Sequence, residues 1–112
     1  MNRVVVTGVG IVSCIGNNQN EVYDSLLNTR SGISFSDEYK KYNFKSQICG
    51  VPEIKVEDYI DRKIIRFMGG GSAYNYIAMK EAIIDSGLEE KDVSNETTGI
   101  IMGSGGPSVK NL

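Results

Sequence analysis

Histidine is absent from this chain of 112 residues, and its absence excludes several kinds of site. Without an imidazole, these residues cannot form a Ser-His-Asp or Cys-His arrangement, and they cannot hold a histidine-ligated metal. The two cysteines, Cys14 and Cys49, do not have the spacing of metal ligands. The sequence therefore predicts no catalytic group, no metal site and no bound cofactor among these residues.

A long apolar run and a basic excess are also missing. No stretch approaches the roughly 20 apolar residues that span a bilayer. The N-terminal segment is interrupted by Gly8 and Gly10, and it has no long apolar core like that of a signal peptide. The net charge is -2, whereas a general nucleic-acid binder needs excess positive charge. We expect a cytoplasmic protein with free thiols that binds neither nucleic acid nor membranes.

The pattern of the remaining residues indicates a protein of the α/β class. Residues 4–7 and 11–12 are apolar and β-branched without alternation, which is typical of a strand buried on both faces. Residues 98–102 predict a second buried strand, and residues 46–49 predict a short one. A helix is expected over 19–28, where apolar residues recur at helical spacing.

Two more helices are predicted, with a break between them at Gly69-Gly70-Gly71. The first begins after Asp61, a plausible N-cap residue, and covers 62–68. The second covers 72–85 and ends before Gly87, a residue type favoured just after a helix. This second helix is apolar around most of its circumference, which is typical of a helix buried in a large protein. We therefore expect 1–112 to be an incomplete domain.

The glycines of Thr7-Gly8-Val9-Gly10 allow two interpretations. A dinucleotide-binding fingerprint needs a third small residue three positions later and a helix that starts at once. Ser13 stands at that position, and the first predicted helix begins well beyond it. We therefore favour the interpretation that these glycines allow close packing of a buried segment. A dinucleotide-binding enzyme is kept as a weaker alternative.

A compact positive face is predicted at the start of the helix over 62–68. On a helical wheel Arg62, Lys63 and Arg66 fall within about 100° of arc. The opposite side is predicted to carry Ile64, Ile65, Phe67 and Met68. Cations at a helix N-terminus oppose the helix dipole by about 0.3–1 kcal/mol each. Three interpretations are open. The cations form a solvated charged face, as such runs usually do, nearby carboxylates such as those of Asp58 or Asp61 neutralise them, or an anionic partner binds them.

Taken together, these segments resemble the β-ketoacyl-acyl-carrier-protein synthases, and they are most similar to the type I elongating members. The resemblance covers nearly the whole chain, with its segments in the family's order. It is carried by VTGVGIVS at 6–13, IGNN at 15–18, RSGI at 30–33, IDRK at 60–63, RFM at 66–68 and GSGG at 103–106.

The resemblance implies a thiolase-like, layered αβαβα fold in a homodimer, with 1–112 as the N-terminal portion of its first half. It implies decarboxylative Claisen condensation in fatty-acid synthesis. In that chemistry a cysteine holds the acyl group, malonyl-carrier protein loses CO2 to give the attacking carbanion, and two histidines stabilise the enolate. The resemblance places the cysteine and both histidines beyond Leu112. Neither Cys14 nor Cys49 matches the nucleophile, and the chain alone is predicted to be inactive.

The resemblance also assigns a partner. Lys63 and Arg66, with Arg62 beside them, match the family's docking residues for acyl carrier protein bearing a phosphopantetheine thioester. Gly105 and Gly106 match the loop that forms part of the family's acyl pocket. Two departures from the family pattern are present. Gly69-Gly70-Gly71 is expected to change the local rigidity, and Pro107 is expected to reshape the pocket loop and hence the acyl-chain preference.

A stand-alone module that binds carrier protein through the same basic residues, without catalysis, is the main alternative. It predicts an isolated chain that is folded and monomeric. The extensively apolar helix over 72–85 is unfavourable to it, since a chain this short offers little to cover such a helix.

Overall fold

The computed structural model describes residues 2–106, which divide into two compact units. One unit is Ile11–Ile54, and the other combines the described residues 2–10 and 55–106. Each unit is built around one principal helix.

The unit Ile11–Ile54 contains helix α1, Gln19–Leu27, and helix α2, Asp37–Lys41. Its strands β1, Ile33–Phe35, and β2, Ile48–Gly50, pair antiparallel, with Ser34 opposite Cys49.

Helix α1 begins where its sequence satisfies the first free backbone N–H groups. The side chain of Asn18 accepts a hydrogen bond from the N–H of Glu21 at 3.0 Å, and the Glu21 carboxylate accepts one from the N–H of Asn17 at 2.8 Å. Val22 and Ser25 are buried on the inner face of the helix. The Ser25 hydroxyl donates to the carbonyl of Ile15 at 2.6 Å, so this buried polar group is satisfied.

The other unit contains a 3-10 helix, Val56–Asp58, followed by helices α3, Arg62–Ile65, α4, Gly70–Ser86, and α5, Glu90–Val93. Its buried apolar residues are Ile60, Ala73 and Ile77. Two of these lie on α4, which is therefore the helix around which the unit packs. None of the helices in the part of the chain that the structure describes is long and apolar enough to cross a membrane.

The structure confirms the predicted helices over 19–28 and 72–85, and it confirms a short strand near 46–49. Gly87 follows α4 with a φ of 70°, the left-handed conformation that favours glycine after a helix. These elements are specified by signals within or beside them, which explains why the sequence locates them well.

The prediction of buried strands at 4–7, 11–12 and 98–102 is wrong for this structure, which assigns no strand there. Val4 is 90% exposed and Ile101 is 97% exposed. A strand requires a ladder of backbone hydrogen bonds to a neighbouring strand. Within the described residues these segments form no such ladder, so their β-branched composition alone does not produce a strand.

The predicted helix over 62–68 is too long, because α3 ends at Ile65. The chain continues in a tighter turn, in which the N–H of Phe67 donates to the Ile64 carbonyl at 3.0 Å. The expected break between the two helices is present, but Gly70 and Gly71 form the first turn of α4. Glycine costs less there than in a helix interior, since the first N–H groups have no intrahelical partner.

Gly8 and Gly10 lie against α4. A Cβ atom at Gly8 would meet the carbonyl oxygen of Ala82, and one at Gly10 would meet that of Ala78. The N–H of Val9 donates to the Asp85 carboxylate at 3.0 Å. The helix therefore occupies the space that a pyrophosphate would need beside these glycines, and it supports the close-packing interpretation of them.

Candidate functional site

Asp61 starts helix α3 and places the predicted docking residues on one short turn. Its side chain accepts a hydrogen bond from the N–H of Lys63 at 2.7 Å, and its carbonyl accepts one from the N–H of Ile65 at 3.0 Å. The predicted N-cap role of Asp61 is confirmed. The cap matters for the site because it fixes the backbone from which the neighbouring cationic side chains project.

Arg62, Lys63 and Arg66, hereafter the basic face, are all exposed. The ion pairs found among residues 2–106 are Arg30–Asp24 and Lys91–Glu89, so no cation of the basic face takes part in one. Among the described residues, no ion pair with a carboxylate such as that of Asp58 or Asp61 neutralises the basic face. Three positive charges remain available on the surface for an anionic partner.

The helix dipole of α3 opposes the cations less than the sequence indicated, so it gives little support to an anionic partner. Helix α3 has only 4 residues, so it sums few peptide dipoles. The carboxylate of Asp61 also lies at its N-terminus, where negative charge is favourable. What remains in favour of an external partner is the clustering of three exposed cations within residues 62–66.

Arg66 and Phe67 form a contact that the sequence did not predict. The guanidinium carbon of Arg66 lies 4.7 Å from the centre of the Phe67 ring, within the range of a cation–π interaction. Phe67 is 77% exposed, so the expectation that it faces away from the cations is wrong. The helical wheel fails here because α3 ends before Arg66. An aromatic residue directly after a surface arginine is the only sequence signal of the contact.

An apolar groove of about 500 Å³ lies in the same unit as the basic face. It is formed by one face of α4 and by the segment that contains Ile100 and Gly103. Its apolar lining includes Met68, Tyr76, Met79, Ile100 and Met102, and Ser72, Asn75 and Ser104 add polar groups. Met68 follows Arg66 by two positions, so the groove and the basic face are connected by a short stretch of chain. Sequence reasoning missed the groove because its walls are distant in the chain.

Gly105 and Gly106, the predicted acyl-pocket residues, directly follow the groove residues Gly103 and Ser104. Both are exposed, and a Cβ atom on either would meet nothing within 4 Å. The Ser104 hydroxyl donates to the Gly106 carbonyl at 2.7 Å, which shapes the turn. Pro107, the departure expected to reshape this loop, lies outside the described residues.

Cys14 and Cys49 are free thiols, and both are half-buried. Cys14 packs closely against Gly32 and Gly50 of its own unit, and a Cβ atom at Gly50 would lie 2.7 Å from its sulfur. Among residues 2–106 there is no cluster of acidic or cysteine side chains that could hold a metal ion. The surroundings of Cys14 are those of a packed side chain, not of an exposed nucleophile.

Three known proteins that are similar to this chain have the same name. A 3-oxoacyl-(acyl-carrier-protein) synthase 1 from Haemophilus influenzae is 46% identical over 111 residues, which are 99% of this chain and 27% of the relative. The protein of the same name from Escherichia coli K12 is 48% identical over 109 residues, 96% of this chain and 27% of the relative. One from Buchnera aphidicola is 50% identical over 108 residues.

The chain thus spans about a quarter of the length of these relatives, 26–27%. Residues 1–111 match the family described as Beta-ketoacyl synthase, N-terminal domain. This match covers every described element, the basic face and the apolar groove. The chain belongs to the β-ketoacyl synthase family, and its residues are those of the family's N-terminal domain.

Proposed function

We propose that this chain is the N-terminal part of a fatty-acid-elongating β-ketoacyl-acyl-carrier-protein synthase, and that the basic face docks acyl carrier protein. The observation that carries the proposal is a cluster of three exposed cations within residues 62–66, in a chain that belongs to this family. The names of the relatives, which specify an acyl-carrier-protein synthase, support the choice of partner.

The physical basis of docking is complementary charge. Acyl carrier protein is an acidic partner, and three exposed cations on one turn create a local positive potential despite the chain's net charge of -2. Asp61 does not cancel this potential by an ion pair, because its carboxylate bonds to the backbone of Lys63. Such a surface steers association and sets the orientation of the partner more than it adds affinity.

In the proposed reaction of the full-length protein, a cysteine takes the acyl group as a thioester and malonyl-carrier protein loses CO2. The resulting carbanion, an enolate that two histidines stabilise, attacks the acyl carbon of the cysteine thioester, and the C–S bond breaks to release the cysteine thiolate. Cys14 and Cys49 are not proposed for the nucleophilic role, since neither matches the family's nucleophile and Cys14 is packed against glycines. The part of this chain in catalysis is then to receive the substrate carrier.

The apolar groove supports a second element of the proposal, the contribution of the glycine-rich loop to the acyl pocket. Gly105 and Gly106 continue directly from the groove-lining residues Gly103 and Ser104. Without a Cβ atom, both leave open space beside the backbone. An acyl chain needs an apolar wall of this kind, because its burial is favourable by about 0.8 kcal/mol per CH2 group.

The layered thiolase-like fold, the homodimer and a cytoplasmic location belong to the same proposal. Large apolar side chains are exposed on the chain, among them Val6 at 85% and Ile101 at 97%. In the proposed full-length enzyme, further protein covers them. Residues 1–112 are accordingly proposed as an incomplete domain, and this exposed apolar surface is unfavourable to a stand-alone binding module.

The docking proposal is tested by measuring the affinity of the full-length protein for acyl carrier protein. The variant Lys63→Glu/Arg66→Glu reverses two charges of the basic face and should raise Kd by about tenfold or more at low salt. The matched control is Lys40→Glu/Lys41→Glu, which makes the same charge change on two exposed lysines of α2. Its Kd should stay within about twofold of the wild-type value.

Salt dependence provides a second readout. Raising the ionic strength should weaken wild-type binding strongly and should weaken the charge-reversed variant much less, because screening acts on the attraction that the variant lacks. If both double variants bind like the wild type, the basic face is not the docking surface.

A further inference from the structure

Arg66 is held differently from the other two cations of the basic face. Its guanidinium carbon lies 4.7 Å above the Phe67 ring, whereas none of the aromatic–cation contacts found among residues 2–106 involves Arg62 or Lys63. The other two such contacts, Lys40 with Phe35 and Lys41 with Tyr42, are longer, at 5.9 and 5.6 Å. Both involve lysine, which has no planar group to stack on a ring.

Phe67 is one of many large apolar side chains that are exposed in the described residues, and what distinguishes it is its contact with the Arg66 guanidinium. It is 77% exposed and belongs to the turn that follows α3, where the N–H of Met68 donates to the Ile65 carbonyl at 2.8 Å. Its ring therefore adds little to the core of the unit. Contact with the Arg66 guanidinium gives this ring a specific role, whereas its other atoms present apolar surface to water.

We infer that Phe67 is a positioning residue that orients Arg66 for a carboxylate of the docking partner. This inference rests on the proposed docking of acyl carrier protein and assigns Phe67 a part in it. An exposed arginine has many rotamers and loses this freedom when it binds. A guanidinium in contact with a ring has already lost part of its rotamer freedom, so less is lost on binding. Its planar edge can still donate two hydrogen bonds to a carboxylate.

The expected effect has the size of one exposed cation–π contact. Replacing Phe67 by leucine should raise the Kd for acyl carrier protein by about two- to fivefold in the full-length protein. Phe67→Tyr keeps the ring and should stay within about twofold of the wild type. Tyr42→Leu, which removes an exposed ring beside Lys41, is the matched control and should leave Kd unchanged.

A double-mutant cycle separates positioning from a direct or merely structural role. In an Arg66→Gln background, Phe67→Leu should have no further effect, since no guanidinium remains to be oriented. An equal loss with and without Arg66 would overturn the inference. Arg66→Lys keeps the charge but has no planar group, so it should weaken binding by about as much as Phe67→Leu, and wild-type binding of Arg66→Lys would overturn the inference. If Phe67→Leu does not fold, the Kd of Arg66→Lys tests the inference in its place.

The same titrations include Lys63→Glu, so that the two proposals can fail separately. Weaker binding of Lys63→Glu together with wild-type binding of Phe67→Leu would leave docking in place and overturn the role of Phe67. Wild-type binding of Lys63→Glu would instead overturn docking at this surface, and the role of Phe67 with it.

Discussion

The carboxylate of Asp61 accepts a hydrogen bond from the backbone N–H of Lys63, with 2.7 Å between oxygen and nitrogen. Although these two residues have opposite charges, they meet through the backbone and form no ion pair. The acidic residue thereby stabilises the turn, while the ammonium group of Lys63 stays available to a partner. This arrangement gives Asp61 a structural task and leaves the Lys63 side chain available for the proposed docking.

Replacing Asp61 separates its capping role from its charge. Asp61→Ala should lower the free energy of unfolding by about 0.5–2 kcal/mol, since a free N–H loses its acceptor. Asp61→Asn keeps a capping oxygen, so its stability should stay near that of the wild type. Because it removes a negative charge beside the basic face, it should also strengthen binding of an acidic partner at low salt. Urea unfolding and partner titration check the two expectations, and equal stability of both variants would contradict the capping role.

Alanine at Gly50 or at Gly32 would crowd Cys14, but the closest atom of Cys14 differs between the two. The stability lost by each substitution should therefore respond differently to truncation of Cys14. A Cβ atom at Gly50 would lie 2.7 Å from the Cys14 sulfur, whereas one at Gly32 would lie closest to the Cys14 carbonyl oxygen as well as 2.9 Å from the sulfur. Each glycine-to-alanine substitution should destabilise by about 1–3 kcal/mol through overpacking. Adding Cys14→Ala should restore much of the loss for Gly50→Ala and little of it for Gly32→Ala.

Unfolding midpoints of the single and double variants measure this difference. Cys14→Ala alone provides the reference for the loss of the sulfur. Equal rescue of both glycine variants would contradict the described packing around Cys14.

Gly71, unlike Gly32 and Gly50, has open space where a Cβ atom would lie. It lies in the first turn of α4, and a Cβ atom there would meet nothing within 4 Å. Gly71→Ala should therefore stabilise the protein by about 0.4–1 kcal/mol, because alanine restricts the unfolded chain. A rise in the melting temperature supports this expectation, and a fall would indicate that α4 does not begin as described.

Thr29 occupies a position after α1 that usually belongs to glycine. Its φ is 53°, and the N–H of Arg30 donates to the Ser25 carbonyl at 2.8 Å, as in a Schellman motif. A β-branched residue is strained in this left-handed conformation. Thr29→Gly should stabilise the protein by about 1 kcal/mol, whereas Asn43→Gly, at a φ of 53° already tolerated by asparagine, should change stability less. Thermal unfolding of the two variants makes the comparison.

The elements that the sequence located are those with local signals. Asn18 caps α1 and Gly87 follows α4, so each helix has a boundary residue beside it. The segment containing Val4 has no such signal. Its β-branched residues indicate a strand only where another strand is available to pair with it, and pairing depends on residues distant in the chain.

The candidate site was also predictable only in part. The charges of Arg62, Lys63 and Arg66 are visible in the sequence, and the structure finds all three exposed. The contact between Arg66 and Phe67 was not predictable from a helical wheel, since it depends on where α3 ends. The groove beside Tyr76 was missed for another reason, as it forms only when residues near 100 approach α4.

The central claim, docking of a carrier protein by the basic face, is tested most directly by comparing two substrates of the full-length protein. We would measure kcat/KM for condensation with an acyl group on acyl carrier protein and with the same group on a small pantetheine thioester. For Lys63→Glu/Arg66→Glu, the account predicts a fall of about tenfold or more with the carrier-bound substrate and an unchanged value with the small thioester. Equal values for variant and wild type with both substrates, or an equal fall with both, would contradict it.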